Sequence, residues 1–279
     1  MSVIIVNYNV KNLLKDCLNS VLQATSKIEA EIWVVDNSSV DGSVEMLKRE
    51  FPEVNLIANK ENVGFAKANN QAIKLSNGEF IVLLNPDTVV YENTFNDCFN
   101  FEKQTENCGG IGVKMVNKEG QFLAESKRGF PTPWASFCRL FYLSKVFPKS
   151  AFFNSYYLGH LDHDKYHKVD ILAGAFIFVK KQIAHTIGGL NENYFMFGED
   201  VDFSYEIKTA GFQNYYLGTT SILHYKGEST KKKDIVYINR FYGAMKIFSK
   251  KYYPKSYPIY WIMISLIMFL QKIKLKLNK

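Results

Sequence analysis

Residues 2–9 read Ser2-Val3-Ile4-Ile5-Val6-Asn7-Tyr8-Asn9, and residues 31–37 repeat the pattern as Glu31-Ile32-Trp33-Val34-Val35-Asp36-Asn37. Each is a run of apolar and β-branched residues that stops abruptly on a short polar side chain. An unbroken apolar run belongs in a sheet covered on both faces, which is how parallel sheets are built. Between the two runs Leu13, Leu14, Cys17, Leu18, Val21 and Leu22 recur at helical spacing, with Asn12 read as the helix cap. The stretch is therefore one βαβ unit. Residues 44–50 (helix), 54–58 (strand), 64–75 (helix) and 80–84 (strand) continue the alternation, predicting an α/β fold with a parallel sheet built from βαβ units.

In such a sheet, ligands bind beyond the carboxyl ends of the strands, where helix N-termini present free N–H groups. The four predicted strand ends carry Asn7-Tyr8-Asn9, Asp36-Asn37-Ser38, Asn59-Lys60-Glu61-Asn62-Val63-Gly64 and Asn85-Pro86-Asp87. All four are polar. Any one of them is equally well explained as a turn or a cap.

The middle of the chain is less regular. Gly109-Gly110-Ile111-Gly112 lacks the third glycine of a dinucleotide motif and runs into a strand-like Val113-Lys114-Met115-Val116, so cofactor binding is set aside there. Pro131, Pro133, Trp134 and the Phe and Tyr residues up to Tyr157 form an aromatic-rich segment that either packs over the sheet or lines a binding surface. His160, His163 and His167 with Asp162 and Asp164 have metal-binding chemistry but no H-E-x-x-H order; a solvated loop explains the same residues.

A second organised block starts at Asp170. Residues 171–179 read as a buried strand interrupted by Ala173-Gly174-Ala175, small residues that permit close approach of a ligand. Further on, Tyr194-Phe195-Met196-Phe197-Gly198 precedes Glu199-Asp200-Val201-Asp202 at a helix start. Compensation of the helix dipole accounts for Glu199 and Asp202. Asp200, beside an aromatic wall, is the candidate general base.

Length and composition bound the rest. With 279 residues, 47% hydrophobic and 22% charged, the chain can build a sizeable core, and disordered and fibrous classes are excluded. Cys17, Cys98, Cys108 and Cys138 form no C-x-x-C pair, and no basic signal-like segment precedes the apolar run at residues 3–6. A reduced, cytoplasmic setting is expected. The 34 Lys and Arg against 27 Asp and Glu give +7. Residues 226–279 hold 13 and 2 of these, a net of +11, which leaves 21 and 25, a net of −4, for residues 1–225. The basic character belongs to the tail and points to an anionic surface, not to nucleic acid.

Taken together, the blocks at residues 3–9, 34–43, 62–66 with Asn69-Asn70, 83–87, 188–190, 197–202 and 224–229 resemble family 2 glycosyltransferases, and among them the rhamnosyltransferase-like group. The resemblance covers residues 2 to about 253. It implies a GT-A fold, a mixed sheet flanked by helices, with a catalytic domain over residues 1–230 whose nucleotide-binding half is about 1–105 and acceptor half about 106–230. The implied reaction is inverting transfer of one sugar from a dTDP- or UDP-sugar to a hydroxyl of a glycan or lipid-linked acceptor. Tyr8, Asp36, Asn62, Gly64, Asn69 and Asn85 are the implied nucleotide-sugar residues, and Asp170, Gly174 and Glu199 the implied sugar and acceptor pocket. Asp87 and His224 are implied to hold Mg²⁺ or Mn²⁺, and Asp200 to act as base. The sequence departs from the wider family's Asp-x-Asp at Asn85, which leaves the metal site one negative charge short, and from the group's Trp and Ser at Ile171 and Ala173. It has no Q-x-x-R-W motif of processive synthases, so transfer of single sugars is expected. A nucleotide-sugar-binding protein without turnover and a membrane-docked scaffold are the alternatives.

Residues 231–279 read as a helical tail. Ile238, Phe241, Met245, Phe248 and Tyr252 form the apolar face of a basic amphipathic helix, ended by Pro254 and Pro258. Residues 259–270 are then almost wholly apolar, shorter than the roughly twenty residues a bilayer crossing needs. Peripheral attachment at the inner face of the cell membrane, or docking on a partner subunit through residues 235–279, is expected.

Overall fold

A computed structural model describes residues 1–225, 227 and 234–277. Strands β1 (Ser2–Asn7), β2 (Glu31–Asp36), β3 (Asn55–Ala58) and β4 (Phe80–Leu84) alternate with helices α1 (Lys11–Thr25), α2 (Ser43–Glu50) and α3 (Phe65–Leu75). The order β3-β2-β1-β4 is parallel throughout. Next in the chain come β5 (Thr88–Val90), α4 (Thr94–Gln104), β6 (Cys108–Val116), α5 (Pro133–Leu140), α6 (Leu143–Val146) and β7 (Tyr166–Val169). They are followed by β8 (Phe176–Lys180), α7 (Lys181–Thr186), α8 (Glu199–Thr209) and β9 (Gln213–His224). β8 adds antiparallel to β4, β6 antiparallel to β8, β9 parallel to β6, and β5 and β7 each pair antiparallel with β9. One mixed sheet thus passes through both predicted halves.

The period of two decides the layers. Val3 and Ile5 of β1 join Leu14, Leu18, Met46, Phe95, Phe176 and Phe178 in one buried cluster; Ile4 and Val6 join Ala66, Ile73, Ile177, Ile183, Phe203 and Ile207 in the other. Both sheet faces are covered, which is why β1 and β4 read as unbroken apolar runs. The glycines near residue 110 lie inside β6. A Cβ on Gly109 would sit 2.5 Å from Ile207 of α8, and one on Gly110 would sit 2.4 Å from Leu172, so they are there for close helix-to-sheet packing.

Three expectations change. Val10, not Asn12, is the residue before α1, and the Lys11 N–H is satisfied by the Asp41 carboxylate at 2.8 Å. The strand expected over 171–179 begins only at Phe176, because residues 172–175 leave the ladder to wrap around Asp200. In the tail, α9 (Ile235–Tyr252) is capped by Asp234 onto the Tyr237 N–H, and α10 runs over Tyr257–Leu277. Pro258 lies in the first turn of α10, where proline costs no hydrogen bond. The helix is therefore 21 residues long, and by length and composition Tyr257–Lys276 suffices to cross a membrane.

Candidate active site

The carboxyl ends of β1, β2, β4, β6 and β9, the amino ends of β8 and β5, and the start of α8 lie along one edge of the sheet. Leu84 pairs with Phe176 and Thr88 with His224, so residues remote in sequence arrive there by register alone.

At the β1 and β2 end, Asn7 Nδ2 donates to Asp36 Oδ2 at 2.8 Å and to Ser39 Oγ at 3.1 Å. The Ser39 N–H donates to Asp36 Oδ1 at 2.8 Å, and Asn9 accepts from the Val40 N–H at 2.8 Å. The asparagines and serine of these motifs are thus scaffold. They fix Asp36, which is 1% exposed, while Tyr8 is 49% exposed at the rim. Asn62 accepts from the Gly64 N–H at 3.0 Å and closes the turn into α3. Gly64 has φ +89°, and a Cβ there would sit 2.8 Å from the Phe195 carbonyl, which accepts from the Phe65 N–H at 2.8 Å. Only glycine combines that backbone with that approach. Asn69 is buried in α3, donating to the Phe65 carbonyl, with no partner for its Oδ1 among the described residues. Its neighbour Asn70 has a different task, gripping Leu190 through both its N–H and its carbonyl.

At the β4 end, the Asn85 N–H donates to the Ala175 carbonyl at 3.1 Å. Asp87 is 1% exposed, and its Oδ1 lies 3.3 Å from His224 Nε2. The Asp87 carbonyl accepts from the Tyr225 N–H at 2.8 Å, so the two segments are stitched on both sides of the pair. His224 Nδ1 is buried without a partner among the described residues. One carboxylate and one imidazole face to face are a donor set that fits a divalent cation such as Mn²⁺. Among the described residues no three His, Cys, Asp or Glu side chains gather at one point. Of the 224–229 block, Lys226, Glu228 and Ser229 lie outside the described residues.

Asp200 meets this edge from α8. Its Oδ2 accepts from Arg128 Nη2 at 2.6 Å and from the Gly174 N–H at 3.2 Å, and its Oδ1 accepts from the Val201 N–H at 2.9 Å. A Cβ on Gly174 would stand 3.3 Å from that of Asp200. Gly174, Ala175 and Asn85 are thus the physical link between the base candidate and the Asp87–His224 pair. Burial alone would lower the Arg128 pKa, but Asp200 outweighs it and holds the guanidinium above its ordinary range. Glu199 is 7% exposed, and burial, reinforced by the adjacent Asp200 charge, raises its carboxyl to about 8.

Two predicted residues have other partners. Asp170 turns its carboxylate to Lys208 and to the Phe130 N–H, tying the 128–130 segment to the far end of α8. Asp202, in the first turn of α8, has a task beyond the helix dipole: wholly buried, it accepts from Lys251 at 2.7 and 2.9 Å, from Tyr252 at 2.5 Å and from Asn191 at 3.0 Å, anchoring α9. Arg128, with no motif to mark it, is the functional residue that sequence reasoning misses. A cavity of about 850 Å³ lies at the opposite sheet edge, lined by Glu79, Glu102 and Lys180, and holds none of these residues.

The family model for glycosyl transferase family 2 matches residues 2–187, two thirds of the chain. The chain belongs to this family. This glycosyltransferase is 22% identical over 259 residues to the N-acetylglucosaminyl-diphospho-decaprenol L-rhamnosyltransferase of Mycobacterium tuberculosis, covering 89% of the chain and 83% of that relative. It is 26% identical over 275 residues to the low-salt glycan biosynthesis hexosyltransferase Agl10 of Haloferax volcanii, covering 95% and 82%. The mannosyltransferase PcManGT of Pyrobaculum calidifontis, solved with GDP-Man and Mn²⁺, matches with a TM-score of 0.61 at 18% identity, covering 95% and 69%. S. aureus TarS 1-349, solved with UDP, matches at 0.57 and 17%, covering 89% and 64%. The sheet, its flanking helices and these likenesses establish the GT-A fold.

Proposed function

We propose that this glycosyltransferase moves one sugar, with inversion, from a nucleoside-diphosphate sugar to a hydroxyl of a glycan or lipid-linked acceptor, with Asp200 as base. What carries the reading is the arrival of Asp87, His224 and Asp200, from three separate segments, at one sheet edge. Asp36 offers a buried acceptor for the N–H of a pyrimidine base, and exposed Tyr8 a ring to bound it. Asp87 and His224 would hold Mg²⁺ or Mn²⁺, which would supply positive charge against the diphosphate. Asp200 takes the proton from the acceptor hydroxyl as that oxygen bonds to the anomeric carbon and the bond to diphosphate breaks on the opposite face. Arg128, paired with the Asp200 carboxylate at 2.6 Å, fixes its aim. Relatives whose names specify a lipid-diphosphate substrate and a hexosyl transfer support the acceptor class, and α10, long and apolar enough to cross a membrane, supports attachment to one.

Thermal unfolding with UDP, dTDP or GDP, each with and without Mn²⁺, tests the donor site, since a ligand bound only by the folded chain raises its stability. One nucleotide should stabilise in a metal-dependent manner, and His224→Ala should remove the metal increment. No nucleotide effect at all would refute the assignment.

A further inference from the structure

From Lys127 to Leu161 the sequence contains no Asp or Glu but five cations, Lys127, Arg128, Arg139, Lys145 and Lys149. The fold turns this segment inside out. Helix α5 buries its small residues, Ala135 and Cys138, and presents Trp134 and Phe137 to solvent. Phe141, Tyr142, Val146, Phe147 and Phe152 continue the exposed surface, with Phe141 58% and Val146 65% exposed. The rings pack on one another, Trp134 with Phe137 and Phe152, and Phe137 with Phe141, as a continuous layer with solvent on its outer side. A soluble surface seldom carries an apolar patch of this kind unless something covers it.

Charge and place decide what covers it. Residues 235–279 are equally free of Asp and Glu and contain α10, whose Ile259, Ile262, Leu266 and Phe269 are exposed. Helix α10 packs on α9, with Lys246 over the Trp261 ring at 4.8 Å, and the charge of Arg139 in α5 reaches Tyr242 of the same helix, offsetting part of the rise that burial imposes on its hydroxyl. The remainder of the described body is acidic. Apolar rings interspersed with lysines, and no carboxylate, are the chemistry of an anionic lipid surface.

We infer that residues 131–152 form a second membrane contact, seated on an anionic bilayer and independent of α10. The segment begins three residues after Arg128, so one short stretch of chain carries both the patch and the cation paired with Asp200. The inference rests on the membrane-side reading of the acceptor but is tested apart from donor binding.

The test is co-sedimentation of the full chain with vesicles of phosphatidylcholine alone or mixed with phosphatidylglycerol. Phe141→Ser/Val146→Ser should lower partitioning onto the mixed vesicles about tenfold or more, and Lys145→Glu/Lys149→Glu should do so on the mixed vesicles only. Leu266→Ser/Phe269→Ser in α10 should give a separate loss that multiplies with the first. All of the substituted side chains are at least partly exposed, and unchanged nucleotide-dependent stabilisation would confirm an intact fold and donor site. Wild-type partitioning by both the 141/146 and the 145/149 variants overturns the inference. So does a lipid-independent shift from dimer to monomer on Phe141→Ser/Val146→Ser, which would show the patch covered by a second copy. Loss of nucleotide binding in the wild type with the lipid effects intact would sink the donor assignment alone.

Discussion

Glu199 offers a test of the site's electrostatics that needs no substrate. Its carboxyl, near 4.5 in the unfolded chain, rises to about 8 in the fold, first because it is buried and second because Asp200 is charged beside it. A group whose folded pKa is raised gives its full stability below the unfolded value and loses it as pH climbs toward the folded one. Wild type therefore loses stability across the window from about pH 4.5 to about pH 8. Glu199→Gln, neutral and of equal size, lacks this dependence. From the shift, the variant should gain on wild type by about 3 kcal/mol at roughly pH 7 and about 5 kcal/mol at roughly pH 9, and by almost nothing near about pH 4.5. Urea unfolding of both proteins at several pH values, without nucleotide or metal, measures the difference directly. A gap that does not change with pH, or a variant less stable than wild type in mild alkali, would falsify the account of a buried carboxyl held protonated by its surroundings.

Other outcomes follow from the same geometry. Asp200→Asn should fold, keep nucleotide-dependent stabilisation and lose about 10²- to 10⁴-fold in turnover, read by donor consumption with acceptor; retained turnover would remove Asp200 as base. Gly64→Ala, forced into a left-handed backbone against the Phe195 carbonyl, should cost about 1–3 kcal/mol in denaturant and weaken nucleotide binding. Lys251→Met deprives the buried Asp202 carboxylate of its cation and should cost about 2 kcal/mol; an unchanged midpoint would show that Tyr252 and Asn191 suffice.

The parallel half of the fold was legible because β1, β2 and β4 announce themselves by apolar runs ending on Asn7, Asp36 and Asn85, and helix spacing fills the gaps between. Legibility failed where distant contacts override local pattern. Residues 171–175 look like strand by composition, yet Leu172, Gly174 and Ala175 are held by Ser204, Asp200 and Asn85 instead of a ladder. Arg128 sits 72 residues from the carboxylate it pairs with, inside a segment with no periodicity. The length of α10 is not legible because Pro258 reads as a breaker in sequence but is a first-turn residue in the structure. Asn7 and Asn9 were visible as polar strand ends, but only the coordinates separate their bracing role from that of Asp36.

The tether between Asp202 and Lys251–Tyr252 has a practical side. Ending the protein at residue 230, where the sequence suggests the catalytic body stops, would strip away α9 and leave a carboxylate interred on the same helix as Asp200, two positions along, with Asn191 as its remaining partner. The segment 194–198 would lose its cover as well, since Phe197 packs on Tyr237 and Phe241 and Arg240 lies over the Phe195 ring. A cut in the short link before Tyr257 instead sheds the greasy helix and keeps the contacts that Asp202, Phe195 and Phe197 make with α9.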